Sequence, residues 1–99
     1  MKVNNKYIKY LKGGFFKCLC LFEEKNEGLS AYIKSFNYEL YGLYYLLEDE
    51  NDTIITLLSI LKHLHENSFE FEPDLKLIRS EVFHCINLID KIFKVGDID

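Results

Sequence analysis

The amino-acid sequence predicts an all-α fold, an antiparallel four-helix bundle of up-down-up-down topology. Four segments repeat apolar residues at steps of three and four, the spacing that places side chains on one face of a helix. The segments are separated by only about four to eight residues, and connections this short make neighbouring helices antiparallel. We therefore assign residues 1–99 to a single helical domain.

Each predicted helix has its own apolar stripe. The helices are expected at about residues 3–24, 29–47, 53–66 and 73–94. The first two stripes are Ile8, Leu11, Phe15, Cys18 and Phe22, and Leu29, Ile33, Phe36, Leu40, Leu43 and Leu47. The last two are Ile54, Leu57, Leu58, Leu61 and Leu64, and Leu75, Ile78, Val82, Cys85, Ile89 and Ile92.

Two local features bear on where these helices begin. Pro73 suits the first turn of the fourth helix, where its missing N–H costs nothing. Gly13 and Gly14 lie inside the first helix, and two glycines there cost about 2 kcal/mol relative to alanine. The first helix is therefore expected to kink at this pair or to begin at Phe15. The alternative architecture is three helices with a differently packed start.

The charge distribution restricts the classes of partner. The chain has a formal charge of −4, yet residues 1–17 hold five lysines and no acid. Neutralisation of phosphates supplies most nucleic-acid affinity, so a net acidic chain is expected not to bind nucleic acid directly. It suits a basic protein partner. No apolar run is long enough for a membrane span or has the form of a signal peptide, so we expect a cytoplasmic protein without membrane attachment.

No residue pattern predicts an active site. The three histidines, His63, His65 and His84, lack the i, i+4 spacing of a helical metal site. Phosphate-binding loops and nucleophile motifs are absent from the sequence. Three cysteines without regular spacing indicate buried reduced thiols rather than a disulfide framework. We therefore predict a protein that is not an enzyme and needs no metal or cofactor.

An acidic pole is the first candidate binding feature. In an up-down bundle, the loops after the first and third helices lie at the same end. That end, here called the acidic pole, collects Glu23, Glu24, Glu27, Glu66, Glu70, Glu72 and Asp74. Charged turns often serve only solubility, whereas the functional interpretation is a docking surface that steers a basic partner.

An outward row of tyrosines on the second helix is the other candidate. At about 100° per residue, Tyr38, Tyr41 and Tyr45 point away from the core stripe. One interpretation is that this tyrosine stripe is covered, either because the helix is central in the bundle or because it packs in a homodimer. The other is that the stripe is a binding hot spot. Tyrosine favours the second role because it combines a large apolar area with a polar tip.

Two stretches resemble a known group of proteins. They are GLSAYIKSFNYELYGLYYLL, residues 28–47, and PDLKLIRSEVFHCINLIDKI, residues 73–92. Together they resemble small helical immunity proteins of bacterial contact-dependent growth inhibition and related polymorphic toxin systems. The resemblance covers about two-fifths of the chain and rests on no diagnostic motif. It implies a cytoplasmic protein that binds and neutralises one cognate toxin domain, and it assigns no individual residue a role.

Three functional hypotheses follow. The first is an immunity protein that occludes the active site or surface of a basic toxin domain or enzyme. The second is a phage-type or regulatory inhibitor of a nucleic-acid-handling complex, which the same acidity fits. The third is a homodimeric helical scaffold held together by the tyrosine stripe.

Overall fold

The computed structural model describes residues 5–46 and 51–93, and it confirms the all-α prediction. The four helices are α1 (Asn5–Glu23), α2 (Leu29–Leu46), α3 (Asn51–Asn67) and α4 (Leu75–Phe93). They form a four-helix bundle in which α1 packs most extensively against α4, and α2 against α3. Within the described ranges there is no strand.

The predicted apolar stripes form the core, with two corrections. Almost every stripe residue whose side chain is described is buried, and Leu19 of α1 joins them. Leu75 is exposed, because the first residue of α4 lies at the end of the bundle. Leu58 is only half-buried, because it faces the space between α2 and α3. Leu47 and Ile92 lie outside the residues whose side chains are described.

α1 runs through its glycine pair from Asn5 to Glu23, so the expected later start at Phe15 is wrong. Gly14 is buried, and a Cβ atom built on it would lie 2.6 Å from two atoms of the Phe36 ring. The missing side chain lets α2 approach α1 and place Phe36 edge-on against Phe15, with ring centroids 5.0 Å apart. This packing compensates for the low helix propensity of glycine.

A second contact between α1 and α2 is polar. The phenol groups of Tyr7 and Tyr10 donate hydrogen bonds to the two carboxylate oxygens of Glu39, each at 3.2 Å. The two rings stack with centroids 5.9 Å apart. Burial, followed by the nearby negative charge of Glu39 and the hydrogen bond to it, raises the pKa of Tyr7 from 10.0 to about 12.

We expect this contact to weaken in alkali. The fold favours the neutral phenol of Tyr7, so its stabilising contribution is complete below pH 10 and is lost as the pH rises from 10 through about 12. Denaturant midpoints measured between pH 9 and 12 should fall more steeply for the parent chain than for Tyr7→Phe, which cannot ionise. Parallel profiles for the two proteins would contradict the assignment.

The ends of the helices fix the two connections at the acidic pole. Lys25 adopts a left-handed φ of 54°, and the Asn26 N–H bonds the Leu21 carbonyl at 3.0 Å, which closes α1. The Asp74 carboxylate accepts the N–H groups of Lys76 and Leu77 at 3.1 and 3.2 Å. Asp74 therefore caps α4. Pro73 precedes this cap, so its predicted place in the first turn is wrong.

Two of the three cysteines are buried, as the sequence predicted. Cys18 and Cys85 are buried free thiols in the core, whereas Cys20 is half-buried, contrary to expectation. Burial raises the pKa of Cys18 to about 12 and raises that of Cys85 as well. Both core cysteines therefore pack as small apolar side chains.

Candidate protein-binding surface

All seven carboxylates of the acidic pole are exposed, but two of them have structural partners. The Arg79 guanidinium of α4 donates to Glu23 of α1 at 2.7 Å, which shows that the end of α1 and the start of α4 are adjacent. Asp74 is occupied by the cap of α4. Sequence reasoning overlooked Arg79, because the pairing of α1 with α4 depends on the tertiary arrangement.

The other five acids, Glu24, Glu27, Glu66, Glu70 and Glu72, remain solvent-facing. In the part of the chain that the structure describes, none of them forms an ion pair. The negative potential of the pole is therefore available to a partner. An exposed carboxylate acts mainly by attracting opposite charge at a distance, and salt screens this effect.

The connection from α3 to α4 adds two aromatic side chains that the sequence analysis did not single out. Phe69 and Phe71 alternate with Glu70 and Glu72, and their side chains are 71% and 90% exposed. Large apolar side chains exposed to this degree beside polar ones are typical of an interaction surface. The alternation of Phe with Glu in a connecting segment is the signal that could have found them.

The tyrosine stripe is exposed, as its helical positions predicted. Tyr38, Tyr41 and Tyr45 are between 48% and 76% exposed. Tyr38 and Tyr41 also line an open groove of about 1050 Å³ between α2 and α3. Ile33, Leu58 and Leu61 contribute apolar lining, and Ile55 faces the groove from α3 with 46% of its surface exposed.

The charged residues of this α2–α3 groove are basic, in contrast to the pole. Lys34 lies on the α2 wall and Lys62 on the α3 wall, and no carboxylate of residues 5–46 or 51–93 belongs to the lining. Among the described residues the ion pairs are Lys12–Asp90, His63–Glu81 and Arg79–Glu23, so a carboxylate neutralises neither lysine of the groove. The sequence analysis overlooked both lysines, because only the pairing of α2 with α3 brings them together.

The groove and the acidic pole meet at Phe69. Its ring contacts His65 edge-on, with centroids 5.1 Å apart, and both residues line the end of the groove. His63 points elsewhere and pairs with Glu81 of α4 at 2.8 Å. Tyr38, Tyr41 and Phe69 thus line one groove, which joins the tyrosine stripe to the acidic pole.

No protein-family model, curated protein or solved structure matches this chain. The described residues include no cluster of three or more His, Cys, Asp or Glu side chains placed to hold a metal ion. None of the described helices has the length and apolar character needed to cross a bilayer.

Proposed function

We propose that this chain is a cytoplasmic binding protein that neutralises a cognate toxin domain by covering its active site or surface. The observation that carries the proposal is the exposure of five aromatic side chains, Tyr38, Tyr41 and Tyr45 on α2 and Phe69 and Phe71 at the acidic pole. Phe69 and Phe71 alternate with Glu70 and Glu72, neither of which forms an ion pair within the described residues. The sequence resemblance to small helical immunity proteins supports the same role.

The two parts of this surface have different tasks in the proposal. The carboxylates at Glu70 and Glu72 attract a basic toxin domain and raise the rate of encounter. The tyrosines then pack against the partner and are desolvated. Desolvated aromatic side chains contribute most of the binding free energy of many interfaces. Rim charges therefore govern association, whereas the aromatic groups govern dissociation.

The test is a kinetic binding titration against the product of the adjacent gene, since an immunity gene lies beside its toxin gene. Tyr41→Ala with Tyr45→Ala should speed dissociation, because hot-spot side chains contribute about 2 kcal/mol or more each, or roughly 30-fold in Kd. Glu70→Lys with Glu72→Lys should slow association and reduce its salt dependence. Asp74 is kept unchanged, because its removal would uncap α4.

Matched controls separate binding from folding. Phe83→Ala removes a comparably exposed aromatic from α4, and Asp52→Lys reverses a charge in the first turn of α3, at the opposite end of the bundle. Both should leave the kinetics unchanged, and helicity should be the same in all variants. A folded chain that does not bind the adjacent gene product at micromolar concentration would rule out the immunity role.

A further inference from the structure

The two walls of the α2–α3 groove carry matching positions. Tyr41 lies five residues before the end of α2, and Ile55 lies four residues after the start of α3. Lys34 and Lys62 lie twelve and eleven residues from the same helix ends. Because α2 and α3 are antiparallel neighbours, these counts place Tyr41 and Ile55 at about one level along the groove, and Lys34 and Lys62 at another.

The spacing on both walls is seven residues, from Tyr41 to Lys34 and from Ile55 to Lys62. Seven residues correspond to about 10 Å along a helix. A seven-residue repeat is the interval at which a helix lying alongside presents the same face again. The groove therefore has the spacing expected of a binding site for a third helix. One level of the groove is apolar and the other is cationic.

We propose that this groove binds an acidic amphipathic helix of the partner protein. An apolar side chain of that helix packs between Tyr41 and Ile55, and a carboxylate seven residues away lies between Lys34 and Lys62. Charge complementarity selects this occupant, because the described lining of the groove has two lysines, no acid and no ion pair to either lysine. The inference rests on the proposed function only in taking a protein as the occupant.

The proposed geometry follows the helix-in-groove mode of recognition, in which apolar anchors recur at helical intervals. Tyr38 and Ser59 lie between the two levels and line the groove with hydroxyl groups. The partner is then basic where it meets the acidic pole and acidic where it enters the groove. This opposite polarity fixes one orientation of the bound helix, since a reversed helix would leave its carboxylate at the apolar level.

The experiment uses two synthetic helical peptides of about fourteen residues, stapled to hold the helix over four turns. They share one apolar ridge and differ only in carrying Glu or Lys seven residues from the central apolar anchor. Fluorescence anisotropy with the full chain measures both affinities. We expect the Glu peptide to bind at least about tenfold more tightly than the Lys peptide, a difference of about 1.4 kcal/mol.

Charge-reversed variants decide the assignment. Lys34→Glu with Lys62→Glu should invert the preference, so that the Lys peptide binds more tightly. The control, Lys9→Glu with Lys76→Glu, makes the same change in net charge on exposed positions of α1 and α4 and should keep the original preference. Tyr41→Ala with Ile55→Ala should weaken both peptides equally. Equal affinities for the two peptides, or an unchanged preference after reversal in the groove, would overturn the inference.

Two further outcomes distinguish this inference from the proposed function. The titration contains no toxin, so a Glu preference that Lys34 and Lys62 control supports the inference even if the adjacent gene product fails to bind. Conversely, the toxin could bind tightly and equally well to the parent chain and to the Lys34→Glu, Lys62→Glu variant, while the two peptides bind with equal affinity. That result would overturn this inference and leave the proposed function standing. Sedimentation velocity could also show a dimer of the parent chain that becomes a monomer in the Lys34→Glu, Lys62→Glu variant. That result would identify a second copy of the chain as the occupant of the groove and would overturn the inference.

Discussion

Phe15→Ala is expected to lower the free energy of unfolding by about 3–5 kcal/mol. Phe15 is completely buried in α1 and packs edge-on against Phe36 of α2. Its truncation removes apolar area from the core and leaves a cavity that the surrounding helices close only in part. Since a domain has a total stability of only about 5–15 kcal/mol, this loss is a large share of it.

The adjacent residue provides the control. Phe16 belongs to the same helix but is 48% exposed and touches Phe83 of α4 with centroids 6.4 Å apart. Phe16→Ala should cost about 1 kcal/mol or less, because half of its surface is in water before the change. Urea titrations followed by circular dichroism compare the two. Equal losses for the two variants would show that the helical register of α1 is wrong.

Gly14→Ala is expected to destabilise the chain by about 1–3 kcal/mol, although alanine is the better helix former. The added methyl group would meet the Phe36 ring at 2.6 Å. That ring is held between Phe15, at 5.0 Å, and Tyr32, which stacks on it at 6.3 Å. The Phe36 ring therefore has little space to move away from the added methyl group. The resulting steric strain must be relieved by a shift of α1 relative to α2.

Gly13→Ala should have the opposite sign. No heavy atom of the described residues outside the local helix lies within 4 Å of a Cβ built at Gly13, so alanine meets open space there. The variant should gain about 0.5–1 kcal/mol from reduced backbone entropy in the unfolded chain. Thermal melts of the two single variants measure the contrast. A gain from both substitutions would mean that α1 and α2 do not approach each other at Gly14.

The candidate surface was only partly predictable. Helical periodicity placed the tyrosine stripe outside the core, because the direction of a side chain on a helix depends on local geometry alone. Loop order placed the acidic residues at one end. The groove and its two lysines were missed, because Lys34 and Lys62 are 28 positions apart in the sequence. They line the same groove only through the packing of α2 against α3.

By itself, the sequence determined the all-α class, the approximate extent of the helices and nearly all of the buried residues. Spacing at steps of three and four encodes these features locally, and burial of the resulting apolar faces drives the helices together. The tertiary structure alone decided that α1 runs unbroken through Gly13 and Gly14, because Phe36 occupies the space that Gly14 leaves. It also decided that a lysine of α2 and a lysine of α3 line the same groove, since this depends on the packing of one helix against the other.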